Sequence, residues 1–317
     1  MSARETHRFV MICRNFRVLA FGRDGRRRIA AAITVISNQM RLKPVIALLT
    51  CLAVASPAAA APVATPHEIE IAEGELTLHA QLYKPDGEGP FPTVIALHGC
   101  GGLAGRAEPV LPRYREWAEQ FVKDGKAVLL PDSFGSRGLG PQCRVKEPKV
   151  RARRERVEDI MAARQWLTQQ TWVAQDRISL IGWAHGASAL LWAVRPQLVT
   201  RGTEPDFRSA VAFYPNCRIS AGLGWSTRVP TLLLIGSKDD VSSPSACRQM
   251  IDGAQGRSAL TRMVVFPGAY HDFDRANLPV HAANGSPDAA TPEHGHIGTD
   301  PEARAEAQRL VTEWLVR

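Results

Sequence analysis

The chain of 317 residues is 45% apolar, enough to bury a sizeable core as one large domain or two small ones. Its net charge of +8 invites a nucleic acid or an anionic surface, but residues 1–60 hold ten Lys and Arg against only Glu5 and Asp24 and carry the whole excess. The rest of the chain is neutral, which excludes nucleic acid as the expected partner.

The stretch "MRLKPVIALLTCLAVASPAAAAP" opens at Met40 with two positive charges, runs apolar from Val45 to Ala55 and ends on small residues at Ala58 and Ala60, the layout of a secretory signal. Residues 1–39 are then a mis-assigned extension, 40–60 a signal peptide and 61–317 a single exported domain, periplasmic or extracellular. Cys51 lacks the small preceding residue of a lipoprotein signal, and the apolar run falls short of the ~20 residues needed to span, so no membrane anchor is expected. Beyond the leader remain Cys100, Cys143, Cys217 and Cys247, which in an oxidising compartment favour disulfides with three possible connectivities. No Cys or His spacing suits a metal; His294 and His296 in "PEHGHIG" read as a polar loop.

"HEIEIAEGELTLHAQLYKP" alternates apolar and polar residues across Glu73 and Gly74, which predicts a β-hairpin. Short apolar runs follow at Thr93–Leu97, Ala127–Leu130, Ile178–Ile181, Ala210–Tyr214, Thr231–Ile235 and Met263–Phe266, each the length of a fully buried strand. Between them "LPRYREWAEQFVKDG" predicts a helix with a glycine stop. "VRARRERVEDIMAARQWLTQQ" sets Val157, Ile160, Met161, Ala163, Trp166 and Leu167 in one stripe on a charged, solvated cylinder. The last helix starts from Asp300 as N-cap before Pro301. Strands alternating with helices predict an α/β fold, a mostly parallel twisted sheet with helices on both faces. Ligands gather at the carboxyl ends of such strands.

Those ends carry a constellation. "TVIAL" is followed by "HGCGGL", whose glycines leave backbone N–H groups open to a developing oxyanion. "ISLI" is followed by "GWAHGAS", the spelling of a nucleophile turn with Gly182 and Gly186 in the glycine places and Ala184 in the nucleophile's. "TLLLI" leads to "GSKDD" and "MVVF" to "PGAYHDF", so the order is nucleophile position, Asp, His, at 184, 239 or 240, and 271, the chain order of an α/β-hydrolase.

"IALHGCGGL", "DSFGSRG", "ISLIGW", "HGAS", "LLLIGSKDD" and "FPGAYHDFD" together resemble the exported branch of the dienelactone hydrolase family, within the α/β-hydrolase superfamily, over roughly residues 67–317. The resemblance implies Cys or Ser where this chain has Ala184. It implies His271 as general base and Asp239, third after Gly236, as the acid that orients it, with Asp240 as runner-up. The backbone N–H groups of Cys100 and His185 would bind the oxyanion, and His98 would support the oxyanion loop. Trp183 and Tyr214 are candidates for the acyl pocket, with core packing as the equal alternative. Cys217 and Cys247 follow neighbouring strand ends and are expected to pair, leaving Cys100 with Cys143 as a staple across the site mouth. Small esters or lactones are the implied ligands, and no cofactor is implied.

A methyl group attacks nothing, and Ser188, Ser133 and Cys100 lack the exposed elbow position. Ala184 therefore marks a designed replacement, which the uncleaved leader argues against, a natural loss, or a non-catalytic relative that uses the pocket to bind esters, lactones or peptides. The last two stay open from the sequence.

Overall fold

Each of the six apolar runs lacks the alternation of a sheet with one wet face, so each needs cover on both sides. The computed structural model describes residues 65–316 apart from 144, 199–204 and 284–294; the expected extension and signal peptide lie outside the described residues, as does His294. The runs form the parallel part of an eight-stranded sheet built from β1 (His67–Glu73), β2 (Leu76–Tyr83), β3 (Phe91–Leu97), β4 (Ala127–Pro131), β5 (Val173–Trp183), β6 (Ala210–Phe213), β7 (Thr231–Gly236) and β8 (Thr261–Phe266). The order across the sheet is β1-β2-β4-β3-β5-β6-β7-β8. The hairpin β1–β2 pairs antiparallel, turning at Gly74 with φ 60°, and β2 joins β4 antiparallel; every later pairing is parallel. This is the α/β-hydrolase sheet.

Every residue of β4, β6 and β7 is buried, as expected of strands covered on both faces. β8 departs from expectation: it is the sheet edge among the described residues, and Met263, Val264 and Val265 are only half-buried. The helices are α1 (Pro112–Lys123), α2 (Glu155–Thr168), α3 (His185–Ala193), α4 (Arg218–Gly222), α5 (Pro244–Gly253) and α6 (Pro301–Leu315). The α6 N-cap is as read, with Asp300 accepting from the N–H of Ala303 at 2.9 Å.

The solvated face expected for α2 needs correction. Arg156, Asp159 and Arg164 are buried along with Val157, Ile160, Ala163 and Leu167. Asp159 is taken below the surface by a bidentate pair with Arg137, at 3.2 and 2.7 Å. A short ribbon unforeseen in the sequence, β9 (His281–Ala283) against β10 (Gly295–Ile297), completes the fold; His296, expected in a polar loop, lies in β10. Among the described residues no helix is long and apolar enough to cross a membrane.

Candidate active site

β5 ends at Trp183 and α3 begins at His185, so the chain must reverse within one residue. Ala184 does this at φ 48°, ψ −109°, a region an L-residue enters only under constraint. The constraint comes from its neighbours. A Cβ on Gly182 would stand 2.7 Å from the Gly186 carbonyl carbon, and one on Gly186 would stand 2.2 Å from the Leu97 oxygen, so α3 can start this close to β3 and β5 only with glycine at both places. The Ala184 N–H donates to Phe213 O at 3.0 Å, and its carbonyl accepts from the N–H and Oγ of Ser188 at 2.9 and 3.0 Å.

Beyond β7 and β8, two loops bring a carboxylate to an imidazole. Asp239 Oδ2 accepts from His271 Nδ1 at 2.9 Å, while its Oδ1 takes the backbone N–H groups of Val241 and Ser242 at 3.1 and 2.7 Å. Both side chains are buried. Burial works against a charged ring at His271, but the charge and hydrogen bond of Asp239 outweigh it and raise the pKa above its ordinary value. Asp240 faces elsewhere: Oδ1 accepts the His296 N–H at 2.6 Å and Oδ2 meets His296 Nδ1 at 2.7 Å.

The glycine loop after β3 is locked peptide by peptide. His98 donates from Nδ1 to Gly99 O at 2.8 Å and accepts at Nε2 from Ser133 N–H at 3.2 Å, which fixes its tautomer; burial holds its pKa well below the ordinary value. The Gly99 N–H donates to Tyr114 Oη at 2.8 Å, and the Gly102 N–H returns to Gly99 O at 3.2 Å. A Cβ built on Gly99 would stand 3.7 Å from Ala184 Cβ, which puts the loop beside the elbow. Among the described residues neither the Cys100 nor the His185 N–H has a protein acceptor.

A cavity of about 630 Å³ joins these parts, with Gly99, Cys100, Cys143, Ala184 and His271 in its wall. The Cys100–Cys143 disulfide forms part of that wall, and Cys217–Cys247 is the second bridge, tying the start of α4 to α5. Trp183 and Tyr214, expected in the pocket, are not among its lining residues. Both are fully buried and point to one carboxylate: Asp274 accepts from Trp183 Nε1 at 2.8 Å, Trp117 Nε1 at 3.1 Å and Tyr214 Oη at 2.5 Å. Tyr214 instead backs the imidazole, its ring centroid 4.2 Å from that of His271.

Sequence reasoning missed the charged wall. Arg113 bridges Asp272 at 2.7 Å and Tyr214 Oη at 3.0 Å, clamping the turn that carries His271. Burial favours a neutral Asp272, but Arg113, His271 and Arg275 prevail and hold its carboxyl at about 2. The ribbon supplies His281, Ala282, Ala283 and Ile297 and is tied to the imidazole's own backbone, Gly298 N–H to His271 O at 3.0 Å. The repeated carboxylates of "YHDFD" were the available signal for Asp272 and Asp274.

Residues 78–317, from within β2 to the chain end, match the model of the dienelactone hydrolase family. The chain belongs to the dienelactone hydrolase family. No curated protein matches it in sequence. Solved structures that resemble it include a dienelactone hydrolase from Anabaena variabilis ATCC 29413, 19% identical over 80% of this chain and 98% of that one, TM-score 0.55. A dienelactone hydrolase-like promiscuous phosphotriesterase from metagenomic libraries is 16% identical over 80% and 98%, TM-score 0.60. An esterase from Thermogutta terrifontis is 17% identical over 80% and 94%, TM-score 0.56. At these identities the likeness is one of fold. Within this dienelactone hydrolase chain the proposed substitutes for a nucleophile are otherwise engaged. Ser188 Oγ donates to Ala184 O and accepts from Asn216 N–H, Ser133 is fully buried outside the cavity wall, and Cys100 is in its disulfide.

Proposed function

We propose that this chain is an exported dienelactone-hydrolase-type protein whose site is built for carboxylic esters or lactones and whose nucleophile position is held by Ala184. The observation that carries it is the strained elbow at Ala184 opening on the same cavity as the buried Asp239–His271 pair. With a hydroxyl or thiol at 184, His271 Nε2 would take its proton as it attacked the substrate carbonyl. The Cys100 and His185 N–H groups would hold the oxygen that becomes charged, and the imidazolium would then protonate the leaving alcohol. Asp239 keeps the ring's other nitrogen protonated and turned away. Water would repeat the sequence on the acyl intermediate. With Ala184 no covalent intermediate forms, and losing the nucleophile of such a unit costs about 10⁶ in turnover. The two disulfides support passage through an oxidising compartment.

A second reading, a binding protein on the same scaffold, is favoured by Ala184 itself together with the open cavity. Hydrolysis of short-chain p-nitrophenyl esters by the chain and by its Ala184→Ser form separates the two. Turnover that appears only with serine and disappears again in Ala184→Ser/His271→Asn supports the hydrolase reading. Silence of both folded proteins sinks it and leaves the binding protein. Parent activity that survives Ala184→Gly would mean that the nucleophile lies elsewhere.

A further inference from the structure

One buried cation has no part in that scheme. Arg156, the second residue of α2, is 0% exposed. Its Nη1 donates to His98 O at 2.6 Å and lies 3.3 Å from His185 Nδ1. A guanidinium only donates, so this Nδ1 accepts and the His185 ring carries its proton on Nε2. Among the described residues Nε and Nη2 of Arg156 have no hydrogen-bond partner. The nearby carboxylate of Asp159 is already engaged by both Nη groups of Arg137, and the Phe134 ring lies 5.5 Å from Cζ. Burial lowers the pKa of Arg156 to about 10, which leaves it charged at neutral pH. A buried cation with two unmet nitrogens is expensive, and an apolar side chain of the same size would serve the fold as well or better.

Resting on the hydrolase reading, we propose that Arg156 is a positioning residue that clamps both halves of the oxyanion hole to one buried positive charge. The His98 carbonyl it holds is the fixed point from which the Gly99 and Cys100 peptides are laid out. With the His98–Gly99 peptide pinned at its oxygen by Arg156 and at its N–H by Tyr114, the next N–H, that of Cys100, is left over and aimed away from the locked Gly99 carbonyl. The other half begins at His185, whose ring the same Nη1 meets. Gly186 presses on the same carbonyl, since a Cβ there would stand 2.6 Å from His98 O. One guanidinium thus spans the β3 loop and the start of α3. His98 and His185 are both held neutral, His185 at about 3 through burial and then through Arg156, so at the roots of the oxyanion loop and of α3 the positive charge is carried by this guanidinium and not by either ring.

The test uses Arg156→Met and Arg156→Lys in the Ala184→Ser protein. Arg156→Met should lower kcat about 10- to 100-fold, less than the ~10²–10³ for removing an oxyanion donor outright, with KM nearly unchanged. Its Tm should hold or rise, the opposite of what a merely structural arginine would give. Arg156→Lys, which keeps the charge, should recover part of kcat. A kcat left unchanged in Arg156→Met, or one that falls only together with Tm, overturns the proposal. If the Ala184→Ser protein is itself silent, the hydrolase reading fails first, and the clamp is judged in the parent chain by NMR. Arg156→Met should then raise the His185 ring pKa and shift the Cys100 and His185 amide resonances; unmoved resonances overturn it.

Discussion

Asp239 and Asp240 are chain neighbours that hold different histidines, His271 at 2.9 Å and His296 at 2.7 Å. In the first pair His271 lines the cavity with Asp239 buried behind it, and the second ties the β9–β10 ribbon to the loop after β7. In the Ala184→Ser protein, Asp239→Asn should therefore cut kcat on the order of 10⁴-fold by leaving the imidazole in the wrong tautomer. Asp240→Asn should leave kcat within a few-fold and change KM, because the ribbon forms one wall of the cavity. Steady-state kinetics on both variants reads the difference.

The pH dependence of that activity follows from His271. The general base must be neutral, and Asp239 raises its pKa above the ordinary 6.5, so the acid limb of kcat/KM should have its midpoint above that value. The same shift acts on stability: the charged pair stabilises the fold below the unfolded pKa, and this contribution is lost as pH rises through the folded one. Asp239→Asn should move the acid limb downward in pH.

Ala184 should be a position where glycine stabilises. Its φ of 48° costs about 1–3 kcal/mol, and the entropy of an unfolded glycine takes back about 0.5–1, leaving a gain of about 1 kcal/mol for Ala184→Gly. Gly186→Ala should instead destabilise, by several times the size of that gain, since its Cβ would meet backbone oxygen at 2.2 Å. Denaturant melts of the two variants measure both.

Glu73, at the end of β1, should make the protein less stable in alkali. Burial, and then the neighbouring Asp159 carboxylate, push its pKa from 4.5 to about 8. Between those values the folded chain keeps a proton that the unfolded chain releases, so stability falls as pH rises through the window. Glu73→Gln stays neutral throughout. Its Tm advantage over the parent should be smallest near about pH 5 and greatest above about pH 8, and a constant offset would count against the shift.

The strands and the elbow were legible because they rest on local chemistry. Uniform apolar runs mark doubly covered strands, and the glycine spacing of the elbow is local: Gly182 is dictated by contact with Gly186 and Ala187, although Gly186 itself answers to the distant Leu97 and His98 carbonyls. Arg156 and Asp159 were not legible: helical spacing places them on a charged face, and only the distant partners His98 and Arg137 draw them inside. Trp183 and Tyr214 misled for a similar reason. An aromatic residue beside a reactive turn suggests a pocket wall, yet the carboxylate that claims both, Asp274, comes from 91 and 60 residues further along the chain. The ribbon escaped notice because three-residue strands carry no readable period.

The backbone at 184 keeps its shape through contacts made by other residues, and this separates the survival of a reactive geometry from the survival of a reactive group. On the proposed reading, selection that no longer tests the hydroxyl or thiol still tests Gly182 and Gly186, because their loss would break the join between sheet and helix. Such a lineage forgets its chemistry one codon at a time while the stage for it stays standing. Since alanine codons lie one base from four of the serine codons, the way back to a hydroxyl is as short as the way out.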